Sequence, residues 1–518
     1  MNRARRLVVF FAVATFLSVG ALTASAGFFD DLKNAADSAT NSITNTQKSK
    51  PSTTKKKVSD GSILNVNEYY AGYSKDFQAV KKDIESGKVE KAYQNREKTV
   101  TDKKEDPDVL FAWEQSLMAL DSNKRDASIK YLEVSEHLFE NRDKRSVTSD
   151  TGTTALTEVV KFVGFDEFGE YEGEAFERIL MLNFKSIAYM LNGDRKAYNV
   201  TRRSINWQNT EKKAFDKKMA QVKKDLKKEE KSQAKQAKQG GGGGDFNAIS
   251  ELFKTSESKA LQVPSAFVNP FGFYMAGVVQ EYDSYQDSSL RSNARISYKK
   301  ALKLNPTSKV IKQALKSIKN KAPKGQRLIQ IVVADGFAPE KKVARFDLST
   351  PAGMIPIKIP IYVQDESCVA KVQVQNSKGK CLATLSQVAD IDAITMRHQY
   401  DSLPEQRLRL MLTVGRSIVE NKIAESAGVF GLIGKAIRDE TTNPDMRSWM
   451  GLPKQILAAR LFLPKGSGSL QLVSFDAKGK VLTQKKIILR KNDHNFVYAR
   501  SFDKVLYINQ SDKLWVKI

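Results

Sequence analysis

Residues 275–306 read MAGVVQEYDSYQDSSLRSNARISYKKALKLNP, and the spacing of aromatic and small residues here decides the fold of the first half of the chain. In a 34-residue window opened at Met275, Tyr285 falls at position 11, Ala294 at 20, Tyr298 at 24, Ala301 at 27 and Pro306 at 32. Two antiparallel helices in close contact need such an alternation. Small residues let the backbones approach, aromatic rings fill the gaps, and proline ends the second helix. The stretch predicts a helical hairpin.

The same organisation extends toward the N-terminus. Residues 67–86 and 89–100 read as one helix pair split at Ser86-Gly87. Residues 108–120 and 126–141 read as a second, split at Asp121-Ser122-Asn123. Residues 174–191 and 195–207 read as a third, split at Asn192-Gly193-Asp194. Short polar turns between apolar helices are what such hairpins require. Ala127 and Tyr131 keep the spacing of positions 20 and 24, while the rest of that unit is degenerate. The window from Met275 resembles a tetratricopeptide repeat. A generic array of helical hairpins fits the looser pairs and gives the same architecture. Residues 63–322 are thus expected to form a TPR-like helical domain, interrupted at 211–246 by a basic low-complexity insertion that ends in Gly240–Gly244. In that insertion Phe215, Met219, Val222 and Leu226 fall at i, i+4, i+7 and i+11, one narrow apolar stripe at the start of a solvated helix.

After Ala322-Pro323-Lys324-Gly325 the pattern changes to short β-rich runs at 327–333, 355–363, 369–375, 470–475 and 481–489. Asn376-Ser377-Lys378-Gly379-Lys380 reads as a hairpin turn, and Asp476-Ala477-Lys478-Gly479-Lys480 repeats its form. Helices are expected within about 404–441, the first with Leu408, Met411, Leu412, Gly415, Ile418 and Val419 on one face. The fold class is therefore a multidomain α+β chain: an N-terminal helical array, then a mainly β, sandwich-like domain over 323–518 with inserted helices.

At the other end, Arg3, Arg5 and Arg6 precede an apolar stretch of 16 residues, Leu7 to Leu22, and Ala24-Ser25-Ala26 supplies a small-x-small cleavage pattern. Residues 1–26 read as a signal peptide, since the apolar stretch is short of the roughly 20 residues that span a bilayer; a retained anchor is the alternative. No cysteine stands at the cleavage position, which argues against a lipidated form. No later segment approaches transmembrane length, so no stable transmembrane segment is expected in the mature chain. Residues 27–62 read as a flexible leader and linker, with an amphipathic helix over 27–43 as the other reading. The formal net charge of +25 would suggest nucleic acid inside a cell. Behind an export signal, anionic envelope polymers or lipid head groups become the counter-charge, and no nucleic-acid partner is expected. Cys368 and Cys381 lie in one strand-rich region, where they could pair in an oxidising compartment or remain partly buried thiols; both readings stand.

No constellation for chemistry emerges. His137, His398 and His494 are scattered without metal-ligand spacing. Gly434-Lys435-Ala436 fails as a phosphate loop, because Gly428 is one residue too far away and Ala436 stands where a hydroxyl is needed. Glu170, Glu172, Glu174 and Glu177 crowd a helix start, where the macrodipole favours negative charge. The expectation is a non-enzyme with no cofactor and no metal. Two stretches are denser in specific residues than packing requires. One runs from Tyr171-Glu172-Gly173-Glu174 through Arg178 to Arg202-Arg203. The other is Asp445-Met446-Arg447-Ser448-Trp449 with Leu452-Pro453 and Ala459-Arg460. They read either as local tie-downs or as a partner-binding surface.

These residues, with Asn269-Pro270-Phe271 and Ala338-Pro339-Glu340-Lys341, resemble a poorly characterised family of tetratricopeptide-type envelope proteins of Gram-negative bacteria, over about residues 108–464. Members are usually predicted lipoproteins, often encoded near other outer-membrane lipoproteins; this chain departs in lacking the lipidated cysteine and in carrying the basic insertion. The resemblance implies a periplasmic scaffold that binds an envelope protein partner through its repeats. The partner-binding candidates are Tyr171, Arg178, Arg202, Arg203, Asn269, Phe271, Tyr285, Tyr298, Arg447 and Trp449. The alternative is a binder of anionic polymer or glycan (peptidoglycan or lipopolysaccharide) that acts through the basic insertion.

Overall fold

A computed structural model describes residues 72–103, 108–149, 171, 173–238, 256–319, 323–350, 353–364, 367–412, 445–491 and 494–511. The expected signal peptide, the leader, the glycine run and most of the expected helices at 404–441 lie outside the described residues; 403–412 is helical.

The first half is a run of helices: α1 Gly72–Glu85, α2 Val89–Lys103, α3 Val109–Asp121, α4 Arg125–Ser149, α5 Ala175–Leu191, α6 Lys196–Lys238, α7 Pro270–Asp283, α8 Leu290–Leu304 and α9 Lys309–Ser317. The turns expected at Gly87, Asn123 and Gly193 share one geometry. Each of these residues has a positive φ (87°, 62° and 65°). In each, the next N–H reaches back to a carbonyl five residues earlier: Lys88 to Asp83 at 2.9 Å, Lys124 to Ala119 at 2.7 Å and Asp194 to Tyr189 at 2.9 Å. This is a Schellman stop, which favours Gly or Asn because a Cβ is strained in the left-handed region. Helix starts are capped as locally: Asp108 accepts from the Phe111 N–H at 2.7 Å, and Asn269 from that of Gly272 at 3.1 Å, with Pro270 in the first turn.

The second half forms β1 Gln326–Asp335, β2 Glu340–Thr350, β3 Gly353–Val363, β4 Lys371–Gln375, β5 Cys381–Thr384, β6 Ser386–Asp390, α10 Ile391–Asp401, β7 Gln455–Pro464, β8 Ser469–Phe475, β9 Val481–Ile488, β10 His494–Ser501 and β11 Leu506–Gln510. A five-stranded sheet runs β11-β10-β1-β7-β6, with β1 and β10 parallel, and a four-stranded sheet runs β5-β4-β8-β9. The twin turns match atom for atom. The Asn376 and Asp476 Oδ1 atoms each accept the N–H groups two and four residues on, and Gly379 and Gly479 have φ of 78° and 81°.

Strand alternation then sorts the core. Ile329, Ile331 and Val333 face the four-stranded sheet, against Val372, Val374, Leu470, Leu472 and Ile487. Leu328, Val332 and Ala334 face the opposite way, onto α3, α5 and α7, in one cluster with Trp113, Phe184 and Val278. The sandwich is therefore backed by a helical layer. The boundary expected at 323 separates helices from strands but not two cores, and residues 63–518 form one compact unit.

One other expectation changes. The second helix of the third hairpin does not stop near Trp207; α6 continues to Lys238. The reason is the apolar stripe, since Met219, Val222 and Leu226 are buried against Ala344, Ile359 and Ile361 of the β2–β3 hairpin and against Leu408 and Met411. Of the two open readings of the cysteines the unpaired one is found: Cys368 and Cys381 are both exposed rather than partly buried, and no disulfide joins them. Cys381 pairs across the sheet with Gln375, seven residues along the chain from Cys368. At 3.3 Å per residue that is roughly 20 Å, against the 5–6 Å that a disulfide spans between Cα atoms.

Candidate functional site

The two dense stretches, some 270 residues apart, meet at the N-terminus of α5. Glu174 is the N-cap of that helix and forms a capping box with Glu177. The Glu177 carboxylate gathers three donors: the Tyr171 hydroxyl at 2.6 Å, the Glu174 N–H at 2.8 Å and the Trp449 N–H at 2.7 Å. Trp449 stacks on Trp113 of α3 with centroids 4.8 Å apart, and Phe184 of α5 meets it edge-on at 6.0 Å. Arg447 forks onto Asp445 (2.8 and 3.0 Å) and lies 5.4 Å over the Tyr171 ring. Gly451 donates its N–H to Glu114 of α3 at 3.0 Å. Gly173 has a φ of 71°, and a Cβ there would sit 2.4 Å from the Trp113 ring, so both backbone and packing require glycine.

Glu174 has its own partners. Lys341 of β2 reaches one oxygen at 3.1 Å, and His398 Nε2 of α10 lies 2.9 Å from the other. Burial pushes the Glu174 carboxyl upward, but Lys341 and His398 outweigh it and hold it well below the usual carboxylate range. Glu177 moves the other way: burial, then the charge of Glu174, raise it above the ordinary value. Burial and the two carboxylates likewise push the Tyr171 phenol far up. Two carboxylates in one helical turn, Glu177 buried and Glu174 partly exposed, are thus driven apart in acidity, one ionised on a lysine and one tied to backbone N–H groups.

A second junction lies between α7 and the five-stranded sheet. Arg460 of β7 pairs with Glu281 of α7, and Tyr298 of α8 (2.8 Å) and Gln330 of β1 (3.0 Å) donate to the same carboxylate. A third joins Tyr498 of β10 to Asp121 of α3 at 3.2 Å, while Arg500 donates to the carbonyls of Gly336 and Gly451 at 2.7 and 2.9 Å.

Most of the partner-binding candidates are therefore spent inside the molecule. Phe271, Asn269, Tyr298 and Trp449 are within 1% of full burial, and Tyr171 is buried with them. Arg178 pairs with Glu211 at 2.8 Å, and Arg203 pairs with Glu136. Tyr285 is half-buried against His494, with centroids 3.9 Å apart. Arg202, exposed and 5.9 Å over the Tyr198 ring, is the one of this set that faces solvent outright. As a contiguous partner surface the set is corrected to a packing and capping set, because aromatic and paired polar side chains at these densities close junctions. Sequence reading missed Glu114, Glu281, Trp113 and Asp121, the α-side halves of the junctions. Glu114 and Glu281 were visible only as charged residues inside otherwise apolar helices, Trp113 as one more apolar residue and Asp121 as part of the turn.

Among the described residues no group of His, Cys, Asp and Glu could hold a metal ion. Two surface depressions, one of about 240 Å³ at Thr307–Lys309 and Thr384–Gln387 and one at Lys299–Lys303, share no residue with the α5 junction. Chemically, the arrangement holds helices on a sheet. No helix among the described residues is long and apolar enough to cross a membrane. No protein-family model, curated protein or solved structure matches the chain.

Proposed function

We propose that this chain is a non-enzymatic scaffold of the cell envelope, exported by its N-terminal segment, with a TPR-like helical array that presents its outer face to an envelope protein. The observation that carries the reading is the packing of α7 on α8. A Cβ on Gly277 would lie 2.5 Å from the Tyr298 ring, and Ala294 and Ala301 are fully buried beside it. That is the small-and-aromatic interlock expected of a tetratricopeptide hairpin. The recurring Schellman stops at Gly87, Asn123 and Gly193 support a repeated unit, and neighbouring helices in the chain pack on one another as in a solenoid. The polar clusters support the same reading, since their carboxylates are spent on internal donors. One difference from a free-standing array follows: α3, α5 and α7 pack on the chain's own sheet, so the partner face is the solvent side that carries Arg202.

The test is purification of the tagged chain from an envelope fraction at low salt. One stoichiometric protein partner is expected, lost with Arg202→Glu while the circular dichroism spectrum is unchanged. Recovery of no such partner overturns the proposal.

A further inference from the structure

α6 is a continuous helix of 43 residues whose second half has two unlike faces. At 100° per residue, Phe215, Met219, Val222 and Leu226 share the side that packs on the β2–β3 hairpin. Lys213, Lys217, Lys224, Lys227, Lys231 and Lys235 fall in an arc of about 80° on the opposite side. All six are exposed, and none has an ion-pair partner among the described residues. The acidic residues of this half lie to the flanks, where Asp216 and Asp225 pair with Lys212 and Lys228 and Glu230 with Arg407 of the 403–412 helix. From Lys213 to Lys235 the row runs roughly 33 Å at 1.5 Å per residue.

The chemistry of the row limits what it fits. The apolar face is used up inside the molecule, so the helix cannot insert among acyl chains as an amphipathic anchor does. The arc contains no aromatic residue on which bases could stack and no arginine fork for bidentate phosphate recognition. It is a convex line of mobile ammonium groups, where a polymer-binding protein would offer a recessed groove. A convex line of point charges meets a plane of phosphates along its whole length.

We propose that the lysine row of α6 docks the protein, lying parallel and without insertion, on the anionic lipid head groups of a bilayer. Each lysine near such a surface contributes several-fold in affinity, and the attraction is screened by salt.

The experiment is co-sedimentation of the full chain with phosphatidylcholine vesicles, with and without about one third phosphatidylglycerol. The N-terminal segment, with its apolar stretch and Arg3, Arg5 and Arg6, is common to every variant compared. The anionic vesicles are expected to bind more protein, and the excess to vanish at high salt. Replacing the six row lysines by glutamine is expected to weaken the anionic excess about tenfold or more. A matched variant with Lys299, Lys303, Lys309, Lys312, Lys316 and Lys319 changed to glutamine, all exposed on α8, α9 and the turn after it, is expected to keep most of it. Equal loss in both variants, or no loss in the first, overturns the proposal. So does a row variant that loses binding to soluble polyphosphate but not to anionic vesicles, which would assign the row to a linear polyanion.

Discussion

Asp121 closes α3 with a carboxyl that is buried under Tyr498 and near Arg500, and its environment has a measurable consequence. Burial pushes this carboxyl up to about 7 from its ordinary 3.8, against the pull of Arg500. Its place at a helix C-terminus, where the macrodipole disfavours negative charge, acts in the same direction. Between pH 3.8 and about 7 the folded chain therefore binds a proton that the unfolded chain has lost. Stability must fall as pH rises through that window, by about 1.4 kcal/mol per pH unit for this one group, and then level off. Asp121→Asn keeps an oxygen for the Tyr498 hydroxyl and cannot titrate. The variant is expected to be more stable than the natural chain at pH 8, with an advantage that shrinks toward zero near pH 4. Urea midpoints of both proteins across this range check it; a difference independent of pH would mean that Asp121 stays ionised. Glu174 works oppositely. Its lowered pKa makes its ion pairs a stabilising term above its ordinary 4.5 that is lost on acidification.

Among the elements, those that advertise themselves locally were legible in the sequence. Gly87, Asn123 and Gly193 stand where a left-handed residue must end a helix, and the turns at 376–380 and 476–480 repeat one side-chain cap. β1, in the middle of the five-stranded sheet, was legible at 327–333, but its two neighbours were not. β7 (QILAARLFLP) and β10 (HNFVYARS) are buried on both faces, so polar and apolar residues do not alternate, and such runs carry no period that separates strand from helix. β10 also pairs with β1, more than 150 residues earlier, a contact that no local pattern encodes. The junction residues divide in the same way. Gly173 and Glu177 belong to a motif visible in the chain, whereas Glu114 and Glu281 acquire meaning only once Gly451 and Arg460 are brought to them. α6 lies between these cases, since its stripe was visible but its target was not. Val222→Asp would place a charge among Ala344, Ile359 and Ile361. Hydrogen exchange is then expected to lose protection over about 215–238 and to keep it over 196–210, which packs on α5 and α7. Uniform loss along the helix would mean that the hairpin contact does not hold the distal half.

At the scale of the whole molecule, the helical layer and the sheet are two sides of one core, and this sets how the protein unfolds. α5 is buried over most of its length, with Leu180, Phe184, Ile187 and Leu191 fully enclosed. Part of that enclosure is supplied by Trp449, Ile456, Phe496 and Tyr498 from the far end of the chain. A fragment of residues 63–322 would expose these contacts and leave the Glu177, Glu281 and Asp121 carboxylates without Trp449, Arg460 and Tyr498. Each buried polar group stripped of its partner costs about 1–3 kcal/mol. Three such losses, with the apolar surface uncovered beside them, are comparable to the 5–15 kcal/mol by which folded domains usually outlast their unfolded states. The fragment is therefore expected to keep helical far-ultraviolet dichroism but to lose the near-ultraviolet signal of packed aromatic rings and to bind an apolar dye. Full-length protein is expected to unfold residues 63–518 in one transition, with tryptophan fluorescence and far-ultraviolet dichroism changing together. A fragment with a sharp thermal transition of its own, or separate transitions by the two probes, would show that the helices form an independent domain after all.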